Sequence, residues 1–225
     1  MERKEIAKII DHTNLNPCAQ QKDIEKLCSQ AIEYGFASCC INPFYVPLVA
    51  ELLKDSPVKV CTVIGFPLGS NSADDKAGQA ASCVAEGADE VDMVINLGLV
   101  KDKKWDEVFE EIYAVRCAIN DVDTGTDKKI ILKVILETCY LDDDEIVQCC
   151  NQAQKAGADF VKTSTGFAKG GADVHSVALM RKTVGLSLGV KASGGIRTYA
   201  DALAMIEAGA SRLGCSAGVQ IVSEE

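Results

Sequence analysis

Lys162 stands where a charged residue is costly. It follows Phe160-Val161 in the stretch Asp159-Phe160-Val161-Lys162-Thr163-Ser164-Thr165-Gly166-Phe167, which opens like a buried parallel strand and continues into three hydroxyl residues and a glycine. An ammonium there either snorkels to water or loses its proton. The neutral amine is a nucleophile toward a carbonyl carbon. For a lysine on an arbitrary strand, snorkelling is the default, so the other charged strand residues must decide. In Val91-Asp92-Met93-Val94-Ile95-Asn96, alternation sets Val91, Met93 and Ile95 on one face and Asp92, Val94 and Asn96 on the other. The same count sets Lys191 and Ser193 against Val190 and Ala192, and Phe160, Lys162 and Ser164 against Val161 and Thr163. It also sets Lys133 and Glu137 against Leu132, Val134 and Leu136.

If these strands close into a barrel, three lysines and at least two carboxylates converge inside it. Internal ion pairs are the plain alternative, but ionisable groups gathered in one cavity mark functional sites. Two neighbouring ammoniums disfavour each other's protonation, so one lysine can be neutral near pH 7. That amine forms a Schiff base, an electron sink for making or breaking the adjacent carbon–carbon bond, and a nearby aspartate can carry the proton. A second site is suggested by Ser193-Gly194-Gly195-Ile196-Arg197 and Gly214-Cys215-Ser216-Ala217-Gly218, glycine-rich turns after the last two strand-like segments. Ordinary turns use such glycines too, but in barrels this position commonly cradles a phosphate. Gly166 is placed to add an amide to the same anion.

The elements that would hold these residues alternate along the chain. A short helix over 2–10 leads to a brief strand near Ile9-Ile10-Asp11-His12-Thr13, and a helix from Pro17 closes at Gly35. Strands are expected at 36–42, 58–65, 90–96, 129–137, 159–164, 188–193 and 212–215. Helices are expected at 43–54, 72–86, 105–120, 142–156, 173–184 and 199–208. Eight strand–helix units in 225 residues have the size of a closed (β/α)₈ barrel in a single domain spanning 1–225, with an extra short N-terminal helix. An open doubly wound sheet is the alternative, weakened because no Gly-x-Gly-x-x-Gly turn follows the first strand. Residues 121–128 form a polar loop rather than a domain linker.

Composition narrows the partners. A formal net charge of -10 disfavours a general nucleic-acid or anionic-membrane binder, although a small anion remains compatible with a locally positive site. Eleven cysteines, an odd number with no Cys-x-x-Cys, and two histidines make no zinc pattern; they suit a reducing, cytoplasmic setting. The charged start Met1-Glu2-Arg3-Lys4-Glu5 is unlike a signal peptide, and no apolar run approaches a membrane span.

Val161-Lys162-Thr163-Ser164-Thr165-Gly166-Phe167, Val190 to Arg197 and Glu90 to Asn96 closely resemble the deoxyribose-phosphate aldolase family. So do Ile10 to Thr13, Gly65-Phe66-Pro67-Leu68-Gly69 and Leu132 to Thr138, and the likeness runs from about residue 9 to residue 218. The resemblance implies a metal-independent class I aldolase with no cofactor beyond a covalent imine on Lys162. It would reversibly cleave 2-deoxy-D-ribose 5-phosphate to D-glyceraldehyde 3-phosphate and acetaldehyde in deoxyribonucleotide breakdown, with a homodimer as the family expectation. It assigns Lys162 to the Schiff base, Lys191 to perturbing it and moving protons, and Asp92 to proton exchange through a water. Gly166, Gly194, Gly195, Gly214 and Ser216 would hold the phosphate, with Arg197 near them.

Lys133 and Glu137 would support the charge network with Asp11 as a further supporting residue, and His12 would pack and hydrogen-bond beside Asp11 rather than perform chemistry. By the same resemblance Cys40 lies near the pocket, open to unsaturated aldehydes; a small buried hydrophobe is its other reading. His175 is expected in solvent. The sequence departs from the pattern at Asn16, where many relatives have lysine, and at Ala217, where some have a hydroxyl. It also runs only to Glu225, short of a tail that carries a tyrosine in some relatives. A phosphosugar isomerase or a non-catalytic phosphate binder are the competing readings; neither needs an intact lysine pair.

Overall fold

The computed structural model describes residues 1–125 and 128–223. Eight parallel strands form a closed barrel in chain order: β1 (Ile10–Asn14), β2 (Ser38–Ile41), β3 (Lys59–Ile64), β4 (Glu90–Val94), β5 (Ile131–Ile135), β6 (Phe160–Lys162), β7 (Gly189–Ser193) and β8 (Arg212–Cys215). Pairing of Ile10, Asp11 and His12 with Leu213, Gly214 and Cys215 closes the ring. Around it lie α1 (Arg3–Ala7), α2 (Gln21–Tyr34), α3 (Val46–Leu53), α4 (Ala73–Ala85), α5 (Leu97–Lys101), α6 (Trp105–Asn120), α7 (Asp143–Lys155), α8 (Val174–Val184), α9 (Tyr199–Glu207) and α10 (Gly218–Val222).

The main core lies between barrel and helices. Val91, Met93, Leu132, Val134, Val161, Val190, Ala192 and Leu213 turn outward into it and are fully buried. Side-chain caps start several helices where the chain leaves a loop. Asp142 and Glu145 exchange bonds at the start of α7, and Thr198 and Asp201 do so at α9, each supplying orphan N–H groups with acceptors.

Two expectations change. Asn96 does not face the barrel interior, because β4 ends at Val94. Its side chain instead accepts from the Gly98 and Leu99 amides and caps α5, a short helix that the apolar pattern did not reveal. Glu137 lies beyond the end of β5 in a left-handed backbone conformation, so strand alternation no longer governs it. His12 packs and hydrogen-bonds as expected, on the outward face of β1; its ring meets Phe36 at 5.0 Å and its Nε2 lies 3.1 Å from Gln30 Oε1. The loop expected at 121–128 includes residues 126 and 127, outside the described residues, as is the chain end at 224–225.

Candidate active site

Register brings the charged side chains together. Asp92 pairs with Lys133 across β4 and β5, and Lys162 with Lys191 across β6 and β7. Neighbouring strands sit about 4.8 Å apart, so inward side chains at paired positions must meet. Asp92 accepts from Lys133 on Oδ1 at 2.8 Å, and from Lys162 and Lys191 on Oδ2 at 2.8 and 2.7 Å. Lys191 also reaches Asp11 Oδ2 at 2.5 Å, and Lys133 reaches Glu90 Oε2 at 2.5 Å. Arg212 completes the ring, 2.7 Å from Asp11 Oδ1 and 3.1 Å from Glu90 Oε2.

Glu90 and Arg212 were not among the residues expected in the interior. Glu90 shares the parity of Asp92 and was legible on that ground. Arg212 opens a four-residue strand too short to show alternation.

The network joins four basic side chains, Lys133, Lys162, Lys191 and Arg212, to the carboxyls of Asp11, Glu90 and Asp92. Burial alone would favour neutral Asp92, but the three lysines outweigh it and hold its carboxyl well below the usual range. Burial would likewise discharge Lys191; Asp11 and Asp92 outweigh that and hold it above the ordinary lysine value. Lys133 is raised in the same way, chiefly by Asp92. Asp92 is thus the carboxylate that Lys162 and Lys191 share on one oxygen, with Lys191 held toward its charged form beside Lys162. Lys162 makes its ion pair with Asp92 alone and, unlike Lys191, borders the cleft above.

That cleft, about 860 Å³, opens at the C-terminal ends of the strands. Lys162 lies on its wall together with Gly166, Gly194, Gly195, Arg197, Gly214 and Ser216. Among the described residues no protein group accepts the amides of Gly166, Gly194, Gly195 or Ser216, which suits an anion. Gly166 and Gly194 sit at φ +83° and +88°, a backbone that side-chain-bearing residues rarely adopt. Gly214 serves another need, since a Cβ there would lie 2.9 Å from Lys191 Cε; its bareness gives that lysine room. Thr163 Oγ1 donates to Ser193 O and accepts from Ser193 N, fastening the two lysine strands at this end.

Asn16 borders the cleft and Ala217 packs against the apolar core. Cys40 is fully buried among Leu15, Cys61, Val63 and Phe66, beneath the cleft rather than on its wall. His175 is exposed and bonded to Asp143. Glu137 is buried but bonds to Thr165 instead of joining the lysine network. Two side-chain sets, Asp11–Cys61–Glu90 and Cys40–Cys61–Asp92, have the proximity of metal ligands. Lys133 Nζ lies within ion-pair distance of Glu90 and Asp92 and 3.4 Å from Cys61 Sγ, so an ammonium already occupies the place a cation would take.

A (β/α)₈ barrel with a lysine amine beneath an anion-receptive cleft is suited to carbonyl chemistry, as in barrel lyases. Comparison with known proteins narrows this class: the chain belongs to the DeoC/LacD family of aldolases, whose model matches residues 6–224. It is 56% identical over 219 residues to a deoxyribose-phosphate aldolase of Caldanaerobacter subterraneus subsp. tengcongensis, covering 97% of this chain and 93% of the relative. Identity to the deoxyribose-phosphate aldolase of Caldicellulosiruptor saccharolyticus is 55% over 225 residues, covering 100% of both chains. Among solved structures, the tetrameric deoxyribose phosphate aldolase from Aeropyrum pernix superposes with a TM-score of 0.89 at 34% identity. That match covers 98% of this chain and 91% of the other.

Proposed function

We propose that this chain, acting as one aldolase domain, reversibly cleaves 2-deoxy-D-ribose 5-phosphate to D-glyceraldehyde 3-phosphate and acetaldehyde through an imine on Lys162. The observation that carries the reading is the shared oxygen: Lys162 and Lys191 both bond Asp92 Oδ2, and Lys162 also borders the cleft. Asp92 takes the ammonium proton, and the freed amine adds to the substrate aldehyde; Asp92 returns that proton to the carbinolamine hydroxyl, and loss of water gives the protonated imine. With this iminium as electron sink, the C3 hydroxyl gives its proton through a water to the Asp92 carboxylate, the C2–C3 bond breaks and D-glyceraldehyde 3-phosphate leaves. The enamine carbon then takes that proton back from Asp92 through the water, and hydrolysis returns the amine and acetaldehyde. Lys191, bonded to the same Asp92 oxygen, perturbs Lys162 and takes part in the proton transfer. The electrons balance within the substrate, so the step needs no redox partner.

The amides of Gly166, Gly194, Gly195 and Ser216, with Arg197 nearby, grip the phosphate and leave the aldehyde end over Lys162. Such a substrate belongs to deoxyribonucleotide breakdown. The eleven cysteines, all free thiols, suit the reducing cytoplasm, and no helix among the described residues is long and apolar enough to cross a membrane. A homodimer is the assembly we carry forward, to be read by sedimentation.

Borohydride reduction with acetaldehyde, followed by peptide mass mapping, tests the chemistry. The expected product is a two-carbon adduct on Lys162. Absence of the adduct, or its persistence at unchanged yield in Lys162→Ala, would sink the mechanism.

A further inference from the structure

Glu137 is buried, 2% exposed, yet among the described residues no cation is one of its hydrogen-bond partners. Its backbone is left-handed, φ 56° and ψ 60°. Among the described residues, Lys103 is the other non-glycine residue with positive φ. Such a conformation is strained for an L-residue and persists where its surroundings over-determine it.

The surroundings here are the turn that carries Gly166. Leu136 N bonds Lys162 O at 2.9 Å and Thr138 N bonds Thr163 O at 3.0 Å, so residues 136–138 run beside the end of the lysine strand. From between those two rungs the Glu137 carboxylate accepts from Thr165 N, at 3.2 and 3.3 Å to its two oxygens, and from the Thr165 hydroxyl. Thr165 Oγ1 in turn accepts from Phe167 N at 3.0 Å. The residue enclosed by this relay is Gly166, whose amide has no protein acceptor among the described residues and whose Cα would lie 3.6 Å from a Cβ placed on Gly194.

We propose that Glu137 is a positioning residue that sets preference for the phosphorylated substrate by fixing the Thr165–Phe167 turn in its anion-gripping shape. This rests on the aldolase reading above. Glu137 touches neither Lys162 nor Asp92 through any hydrogen bond, so its effect falls on the phosphate end of the cleft and leaves amine chemistry intact. A carboxylate suits the task because it accepts from an amide and a hydroxyl at once; a glutamine offers one acceptor oxygen and a competing donor.

The test compares kcat/KM for 2-deoxyribose 5-phosphate and for unphosphorylated 2-deoxyribose in wild type, Glu137→Gln, Thr165→Val and the double variant. Glu137→Gln is expected to lower the phosphorylated value about tenfold, mainly through KM, as for loss of a charged hydrogen bond, and the unphosphorylated value less than about twofold. Because both residues act through one contact, the double variant should be no worse than Thr165→Val. Borohydride trapping of acetaldehyde on Lys162 should stay at wild-type yield in Glu137→Gln. Equal losses for both substrates, or additive losses in the double variant, would overturn the inference. If Glu137→Gln does not fold, Thr165→Val alone must lose phosphate preference, and its failure to do so overturns the proposal. A wild-type protein that traps no acetaldehyde would overturn the aldolase reading and this inference with it.

Discussion

Asp92 divides its two oxygens between different tasks. Oδ1 holds Lys133, while Oδ2 is shared by Lys162 and Lys191. Its replacement by asparagine leaves the geometry but removes the proton acceptor, and kcat should fall by about 10²–10⁴, the usual worth of a general base. Steady-state rates at saturating substrate check this. At this scale the centre was legible in the sequence, because Asp92, Lys133, Lys162 and Lys191 interrupt apolar alternation within their strands. Glu137 was misread because the period of two was carried past the end of its strand. Arg212 escaped notice because its strand is too short to show a period.

Helices and loops are held to the barrel by a second buried pair that the sequence did not single out. Lys76 on α4 meets Glu111 on α6 at 2.6 Å, and the other Glu111 oxygen accepts from Asn96 N at 2.7 Å. Burial pushes the Glu111 carboxyl up and the Lys76 ammonium down, each against the pull of its partner. The pair thus recovers only part of its desolvation cost. Removing one member, as in Lys76→Met, should cost about 3–5 kcal/mol, whereas Lys76→Met with Glu111→Leu should be near neutral or stabilising. Urea unfolding followed by Trp105 fluorescence distinguishes the two; a double variant as weak as the single would refute the argument. Long helices were legible from caps and apolar period. The five-residue helices α5 and α10 were not, since one turn and a half carries too few apolar positions to show a period.

The whole molecule is acidic, with formal charge -10, around an interior that gathers four basic side chains. Since Lys133 already neutralises the carboxylates that resemble metal ligands, activity is expected to survive EDTA; loss restored by a divalent ion would refute this. Asp11 and Asp92 are held below the ordinary carboxylate range, against burial, by Lys191 and Lys133 respectively before the other cations. Their stabilisation is therefore present above the unfolded value of about 3.9 and lost as pH falls through the folded values. The melting temperature should drop below about pH 4; one unchanged at pH 3 would count against it. The interior charges also divide by position along the chain. Asp11, Glu90 and Asp92 come from β1 and β4, whereas Lys133, Lys162, Lys191 and Arg212 come from β5 to β8. Each half-barrel thus exposes like charges to itself and opposite charges to the other half. Cut between Gly125 and Lys128, the two fragments should recognise one another and refuse their own kind, a heterodimer code written along the inner wall of a single chain.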